Sequence, residues 1–264
     1  MTDWLAACRA AAEGVRNVLA EMSDRDDRER VVGLGEGGDE TTAIDAEAER
    51  VVVERLDSTG ADFTLVSEEL GIRPARGDST MYVVVDPIDG SINAKRGIPF
   101  FSLSIAIADG PTMGDVHFGY VYDFGSREEW VVSRGHGARM NDEEVRASPH
   151  ERIELLSMEA TKTELVARYA PALAPVAYRV RVMGSLALSL CHLAAGRVDA
   201  VCSLRPARSV DIAAAQLLVK EAGRYVDLID GGPLDAAPLD LVGRSRIVAA
   251  GSREHYEQVA AALR

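Results

Sequence analysis

Cysteine and histidine are scarce, and neither forms a recognisable metal-binding pattern. The three cysteines, Cys8, Cys191 and Cys202, contain no pair at the spacing of metal ligands. The five histidines include no HxxxH or HExxH arrangement, the patterns by which zinc enzymes place two imidazoles on one helical face. We therefore expect reduced, partly buried thiols and no zinc site.

Long apolar runs and an excess of positive charge are also missing. No segment approaches the about 20 consecutive apolar residues of a membrane helix, and Asp3 stands where a signal peptide carries positive charge. The chain has 42 acidic and 29 basic residues, for a formal net charge of −13. Such a surface repels nucleic acid and anionic membranes. We expect a cytoplasmic protein with no nucleic-acid or membrane partner.

The remaining sequence divides into two halves that meet near residues 145–150. In the first half, apolar spacing predicts helices over 3–32 and 43–57, a glycine-rich loop over 33–39 and an antiparallel meander over 101–134. In the second half, short apolar segments alternate with helical ones. This alternation is typical of an α/β arrangement.

Two aspartates follow a strand-like segment at residues 81–85. This segment is apolar and rich in β-branched residues, which predicts a buried strand that ends before Pro87. Asp86 and Asp89 flank this proline, and a turn would bring both carboxylates and the Ile88 carbonyl to one side. Carboxylate and carbonyl oxygens suit Mg²⁺.

Gly90 and Ser91 come next and would expose backbone N–H groups where a helix begins, which favours phosphate binding. The alternative is that Asp89-Gly90 is an ordinary turn. Glu68 and Glu69 end another predicted strand, and as a solvated pair they would have no special role. Asp211 lies at the start of a predicted alanine-rich helix. If it has no metal role, it is an N-cap or a first-turn charge that stabilises the helix.

Together these segments resemble the inositol monophosphatase family, whose two signatures are DPxDGTxNF and WDxAAxxxxxxEAGG. The chain has DPIDGSINA at 86–94 and VDIAAAQLLVKEAGR at 210–224. Further segments match the family's order and spacing over nearly the whole chain: Thr42-Ala43-Ile44-Asp45, Ser67-Glu68-Glu69, 181–186 and 196–200.

The departures from the signatures are few. Ser91 replaces threonine and keeps a hydroxyl, Ala94 replaces an aromatic residue, Val210 replaces tryptophan and Arg224 replaces glycine. Two further segments are similar to the archaeal-type branch, which combines inositol monophosphatase and fructose-1,6-bisphosphatase activity: 97–101 and 204–211.

The resemblance implies an α/β (α+β) fold, the layered αβαβα sandwich of the sugar phosphatases. Residues 1–147 would form the α+β half with most metal ligands, and residues 148–264 the α/β half that completes the metal and substrate site. Family members are commonly homodimers, and lithium inhibition is expected.

Two or three Mg²⁺ ions are implied, bound by residues that match the family's ligands. Glu68, Asp86 and the Ile88 carbonyl would hold the first ion. Asp86, Asp89 and Asp211 would hold the second. Two metals in such a site activate a water and stabilise the leaving oxygen of an in-line displacement.

The resemblance also implies the residues that act on the substrate. Ser91 would orient the attacking water, Asp45 would accept a hydrogen bond from the Ser91 hydroxyl, and Glu69 would fix a ligand water. The substrate would contact Asp89, Gly90, Ser91, Arg181, Leu186 and Arg205. The two arginines would read a second phosphate, unless they pair with acids of the chain.

The implied activity is Mg²⁺-dependent hydrolysis of inositol monophosphate, fructose 1,6-bisphosphate or both. A phosphatase for 3′-phosphoadenosine 5′-phosphate is a rival, but that branch usually carries Lys-Glu-Phe where this chain has Ile92-Asn93-Ala94. A histidinol-phosphate phosphatase shares the same motifs. A non-catalytic sugar-phosphate binder is the alternative of another class.

Overall fold

Helices and strands alternate along residues 2–35, 40–159, 162–243 and 245–264, which the computed structural model describes. The helices are α1 Trp4–Glu21, α2 Arg25–Glu29, α3 Ala43–Asp57, α4 Ser91–Arg96, α5 Thr163–Leu173, α6 Leu186–Ala194, α7 Ser209–Glu221 and α8 Arg253–Leu263. The strands are β1 Val31–Leu34, β2 Glu40–Thr42, β3 Thr64–Ser67, β4 Gly71–Arg73, β5 Tyr82–Asp89, β6 Ser102–Ala108, β7 Val116–Asp123, β8 Glu129–Ser133, β9 Ala138–Met140, β10 Glu143–Glu144, β11 Leu155–Glu159, β12 Arg179–Arg181, β13 Ala200–Ser203, β14 Tyr225–Leu228 and β15 Ile247–Ala250.

The first half is built on an eight-stranded sheet in the order β10-β9-β8-β7-β6-β5-β3-β4. Its pairs are antiparallel except that β3 runs parallel to β5. The parallel pair brings the end of β3 and the end of β5 to the same edge, so Glu68 and Asp86 lie near each other. The predicted meander over 101–134 is confirmed by β6, β7 and β8.

The second half is built on a five-stranded sheet in the order β12-β11-β13-β15-β14. Strand β11 is parallel to both neighbours, and β15 is antiparallel to both of its own. Helices α6 and α7 lie between the two sheets, and α5 and α8 pack on the outer face of the small sheet. With α1 and α3 outside the large sheet, the layers follow the predicted αβαβα order.

Alternation of side chains along β5 explains how the large sheet supports both helix layers. Val83 and Val85 are buried against α1 and α3, whereas Val84 is buried against α6 and α7. Burying such a side chain contributes about 1.5–3 kcal/mol. On β7, a Cβ at Gly119 would lie 2.9 Å from the Ala214 carbonyl oxygen, so glycine permits α7 to pack directly on the sheet.

Three predictions of local structure are wrong. The helical segment predicted over 3–32 ends at Glu29, and strand β1 begins at Val31. Strand β5 continues past Pro87 to Asp89, because a bulge accommodates the proline: Asp86 pairs with Ser104 and Asp89 with Ser102, so three steps on β5 oppose two on β6. The loop expected over 33–39 begins later, since β1 pairs with β2 through Gly33 and Leu34.

Residues 36–39 of that loop lie outside the described residues. Within the described residues, no helix combines the length and apolar character that crossing a membrane would require.

Candidate active site

Both halves of the chain line one cleft of about 690 Å³. Most of the predicted site residues lie in its wall: Glu68, Asp86, Ile88, Asp89, Gly90, Ser91, Leu186, Arg205 and Asp211. Among the described residues, three predicted site residues are not part of this lining: Asp45, Glu69 and Arg181. The cleft also contains two residues that the sequence analysis missed, Glu159 and Arg208.

The bulge of β5 presents the first aspartate of the motif to the cleft. Asp86 is only 2% exposed, and its Oδ1 accepts a hydrogen bond of 3.0 Å from the Ile88 N–H. This bond folds the segment back on itself beside Pro87. Burial, and after it the charges of neighbouring carboxylates beginning with Glu68, raise the pKa of Asp86 well above its usual value.

The second aspartate of the motif, Asp89, is bound by the first turn of α6. Its Oδ2 accepts hydrogen bonds from the Ser185 hydroxyl and, at 2.8 Å, from the Ala187 N–H. The Leu186 N–H approaches Oδ1 at 3.4 Å. Burial raises the pKa of Asp89 to about 7, although the Ser185 hydrogen bond opposes this rise.

Glu68 and Asp211 approach each other from opposite halves, with a guanidinium between them. Arg208 Nη2 lies 2.7 Å from Glu68 Oε1 and 2.9 Å from Asp211 Oδ1. Asp211 Oδ2 also accepts the Arg208 N–H at 2.7 Å and so caps α7. Burial raises the pKa of Glu68, and the charge of Arg208 opposes this shift.

The donor set of the cleft fits a hard divalent cation in chemistry and charge. Four carboxylates, together with that of Glu159, face only the guanidiniums of Arg205 and Arg208 in the described cleft lining, so negative charge is in excess, and burial without a compensating cation raises the pKa of three of the four. Oxygen ligands of this kind suit Mg²⁺. The four carboxylates are Glu68, Asp86, Asp89 and Asp211.

A tighter group of ligand atoms lies elsewhere in the described part of the chain. One atom each from Asp123, Glu128 and His192 lie within 4.8 Å of one another, a spacing that no three of the cleft carboxylates share. However, Glu128 is held by two 2.6 Å hydrogen bonds from Arg197, and Asp123 accepts the Ser126 hydroxyl at 2.7 Å. We favour the cleft as the metal site, because it contains more carboxylates and only two of them, Glu68 and Asp211, pair with Arg208.

Helix α4 places Ser91 at the cleft but does not bond it to Asp45. The Asp45 Oδ2 accepts the Thr42 hydroxyl at 2.6 Å and pairs with Lys95 Nζ at 2.8 Å. The expected Ser91–Asp45 hydrogen bond is not among the hydrogen bonds of the described residues. Lys95 and Ser91 are four residues apart on α4 and share a face, so Asp45 lies next to the face that carries Ser91.

Glu69 is not in the cleft lining and contacts the β1–β2 hairpin. Its carboxylate accepts the Thr41 hydroxyl. Burial raises the pKa of Glu69 to about 7, with smaller contributions from neighbouring carboxylates. The neighbouring Glu49 accepts the Glu69 N–H at 3.2 Å and so helps to fix the end of β3.

Glu159, which the sequence analysis missed, supports the loop before α6. Its carboxylate accepts the N–H groups of Met183 at 3.2 Å and Gly184 at 2.8 Å. It also accepts the hydroxyls of Ser157 and Ser189. Glu159 ends a strand parallel to its neighbour, and the same strand-end argument that identified Glu68 would have identified it.

The two predicted substrate arginines differ in position. Arg205 lies in the cleft wall. Arg181 lies on the exposed edge strand β12, where its Nη1 donates to the Val180 carbonyl at 3.0 Å. The structure therefore does not bring Arg181 to the carboxylates.

An acidic cleft between the two sheets of an αβαβα sandwich defines the sugar-phosphatase class of fold. A sequence model of the inositol monophosphatase family matches residues 2–264. A fructose-1,6-bisphosphatase/inositol-1-monophosphatase from Methanothermobacter thermautotrophicus is 34% identical over 266 residues, or 97% of this chain and 95% of the relative. A Nus factor SuhB from Pasteurella multocida is 34% identical over 84% of each chain.

Among solved structures, an inositol monophosphatase-fructose 1,6 bisphosphatase superposes with a TM-score of 0.86 at 28% identity, covering 98% of this chain and 99% of the other. The chain belongs to the inositol monophosphatase family, and it is a phosphoric monoester hydrolase.

Proposed function

We propose that the chain hydrolyses inositol monophosphate, fructose 1,6-bisphosphate or both, with Mg²⁺ as the cofactor. The observation that carries this proposal is the cleft into which both halves direct carboxylates. A phosphate ester could not approach such a cleft without cations, because like charges repel. The names of the similar archaeal enzymes support the two substrates.

The carboxylates divide between two ion positions in this proposal. Glu68, Asp86 and the Ile88 carbonyl would hold one Mg²⁺, and Asp86, Asp89 and Asp211 would hold the other, with a third ion as an open option. When bound, the ions lower the pKa of a water and stabilise charge on the phosphate and on the leaving oxygen. The ligands themselves are positioned by the β5 bulge and by the first turns of α6 and α7.

The start of α4 would bind the phosphate group. Gly90 and Ser91 line the cleft, and their backbone N–H groups would donate to phosphate oxygens. The Ser91 hydroxyl would orient the attacking water. Asp45, paired with Lys95, would hold α4 in place and accept the Ser91 hydroxyl proton as Ser91 takes up the proton of the attacking water. Glu69 would fix a ligand water.

Selection of the substrate would depend on the C-terminal wall of the cleft. Leu186 and Arg205 lie in this wall, and a guanidinium there can bind a second phosphate in a bidentate manner. We propose this role for Arg205 and not for Arg181, since Arg181 lies on the exposed edge strand.

We also propose that residues 1–147 and 148–264 act as two halves of one enzyme, that the enzyme is a cytoplasmic homodimer, and that lithium inhibits it. The family resemblance supports these three points. Light scattering coupled to size-exclusion chromatography tests the dimer. Turnover measured against increasing LiCl, with NaCl as the control, tests the inhibition.

The deciding experiment is phosphate release from inositol 1-phosphate and from fructose 1,6-bisphosphate, each with Mg²⁺ and with EDTA. We expect Mg²⁺-dependent release from at least one, and release from both would indicate dual specificity. An inactive Asp211→Asn variant controls for contaminating phosphatases. Activity only on histidinol phosphate or 3′-phosphoadenosine 5′-phosphate would show that the proposed substrates are wrong and that this ester is the substrate. No release from any ester would favour a non-catalytic sugar-phosphate binder.

A further inference from the structure

Arg208 lies between two carboxylates to which we assign a metal-binding role. Its side chain is 20% exposed, as is that of Glu68. One nitrogen, Nη2, bonds both Glu68 Oε1 at 2.7 Å and Asp211 Oδ1 at 2.9 Å, and Nε lies 3.4 Å from Asp211 Oδ2. The guanidinium therefore links the end of β3 to the first turn of α7, across the two halves.

A divalent cation and this guanidinium require the same oxygens. Mg²⁺ needs its ligand oxygens at about 2.0–2.1 Å in octahedral geometry, whereas a guanidinium needs them along its N–H bonds. Carboxylates that are buried together need some cation between them. Arg208 supplies one positive charge at the mouth of a cleft that also contains Asp86 and Asp89, and Mg²⁺ would supply two.

We infer that Arg208 is a displaceable counter-cation, which holds Glu68 and Asp211 together in the metal-free protein and releases these oxygens when a divalent cation binds. The inference rests on the proposed function, because it uses the same carboxylates as metal ligands. It makes Arg208 a positioning residue whose departure is part of metal binding. Because the metal must displace the guanidinium, its apparent affinity is lower than the carboxylates alone would provide. In the metal-free protein, the site is better ordered than it would be without Arg208.

Metal binding without substrate tests this inference. Isothermal titration of the EDTA-stripped full-length protein with Mg²⁺ would compare the wild type with Arg208→Gln, Arg208→Lys and Arg205→Gln. For Arg208→Gln we expect a Kd about tenfold lower, equivalent to about 1.4 kcal/mol. Arg208→Lys keeps the charge and should stay nearer to the wild type. In EDTA, Arg208→Gln should unfold at a lower temperature than the wild type.

Arg205→Gln is the matched control, because it removes one positive charge from the same cleft and Arg205 has no ion-pair partner among the described residues. Equal tightening by Arg205→Gln would reduce the effect to general electrostatics and overturn the inference. If Arg208→Gln bound Mg²⁺ no more tightly than the wild type, and the wild type bound Mg²⁺ normally, the inference would be overturned and the proposed function would stand. Failure of the wild type to bind Mg²⁺ would remove the proposed function as well.

A structural measurement covers the case in which the Arg208 variants fold poorly. A crystal structure of the wild-type protein soaked with Mn²⁺ should show the guanidinium withdrawn from Glu68 Oε1 and Asp211 Oδ1. A guanidinium that still bridges both oxygens beside a bound ion would overturn the inference.

Discussion

The proposed function gives Asp89 two roles that make opposite demands on its charge. As a metal ligand it must be ionised, yet in the metal-free protein it is buried, and its pKa is raised to about 7. The folded pKa lies above the unfolded value of 3.8. Its stabilising contribution is therefore complete below pH 3.8 and is lost as the pH rises through about 7.

We expect Asp89→Asn to lower Mg²⁺-dependent turnover by more than about 100-fold, the usual upper loss for residues that only support a ligand. At pH 8 in EDTA, the variant should unfold at a temperature equal to or above that of the wild type, because a buried charge is gone. Turnover and thermal unfolding measure the two effects. Asp142→Asn, at an exposed position, is the control, and substantial residual activity of Asp89→Asn would contradict the two-metal site.

Glu159 provides a second test of buried charge, at a cleft carboxylate that we do not assign as a metal ligand. Burial raises its pKa above 4.5 despite four hydrogen bonds. The carboxyl therefore stabilises the fold most below pH 4.5 and loses this contribution as the pH rises through its folded pKa. Relative to the wild type, Glu159→Gln should gain stability in thermal melts as the pH rises above 4.5; a difference independent of pH would contradict the raised pKa.

Arg205 is the residue from which we expect substrate preference. Arg205→Ala should lower kcat/KM for fructose 1,6-bisphosphate by about 10- to 100-fold, the worth of one lost charge-assisted hydrogen bond. The loss for inositol 1-phosphate should be several-fold smaller, since that substrate has no second phosphate. Steady-state kinetics on both substrates measure the difference. Equal losses would remove the second-phosphate role.

At the scale of elements, the junction between α4 and the loop before α6 holds the turn at Gly90, to which we assign phosphate binding. Gly90 has φ +93°, and a Cβ there would lie 2.9 Å from the Gly184 carbonyl oxygen. Asn93 closes the junction by donating 2.8 Å hydrogen bonds to the carbonyls of Phe100 and Met183. The two halves therefore meet by backbone contact beside the proposed metal ligands.

Gly90→Ala should destabilise the protein by about 3 kcal/mol or more, because a contact with backbone adds to the about 1–3 kcal/mol of a left-handed conformation. Gly60→Ala is the matched control: Gly60 has φ +70°, and a Cβ added there would have no heavy atom within 4 Å. Urea unfolding of both variants separates conformational strain from the contact. Equal losses of unfolding free energy in the two variants would show that the contact with Gly184 adds little to the destabilisation.

Much of this element-level structure could be predicted because it depends on local pattern. Helix α3 occupies residues 43–57 as its spacing predicts, and the strands of the second half lie where short apolar segments indicated. The bulge at Pro87 was not predictable, because it depends on the register with β6. Arg208 and the Asp45–Lys95 pair were missed for a similar reason: sequence spacing identifies a ligand by type, whereas its counter-ion is chosen by tertiary packing.

At the scale of the whole molecule, the cleft makes the two halves depend on each other. Glu68, Asp86 and Asp89 come from the large-sheet half, and Asp211 comes from α7, which packs between the sheets. A cation bound by both sets can bind only the assembled fold. Binding to the folded state alone raises stability by about 2.7 kcal/mol at a ligand concentration of 100 times Kd.

We therefore expect saturating Mg²⁺ to raise the unfolding temperature of the wild type by several degrees in one cooperative transition. With a net charge of −13, the protein is also stabilised by general screening, so NaCl at equal ionic strength is the necessary control. Asp211→Asn removes the ligand from the second half and should lose most of the Mg²⁺ effect while keeping the NaCl effect. If Mg²⁺ stabilised the wild type no more than NaCl, or stabilised Asp211→Asn fully, the cleft would not join the two halves through a metal.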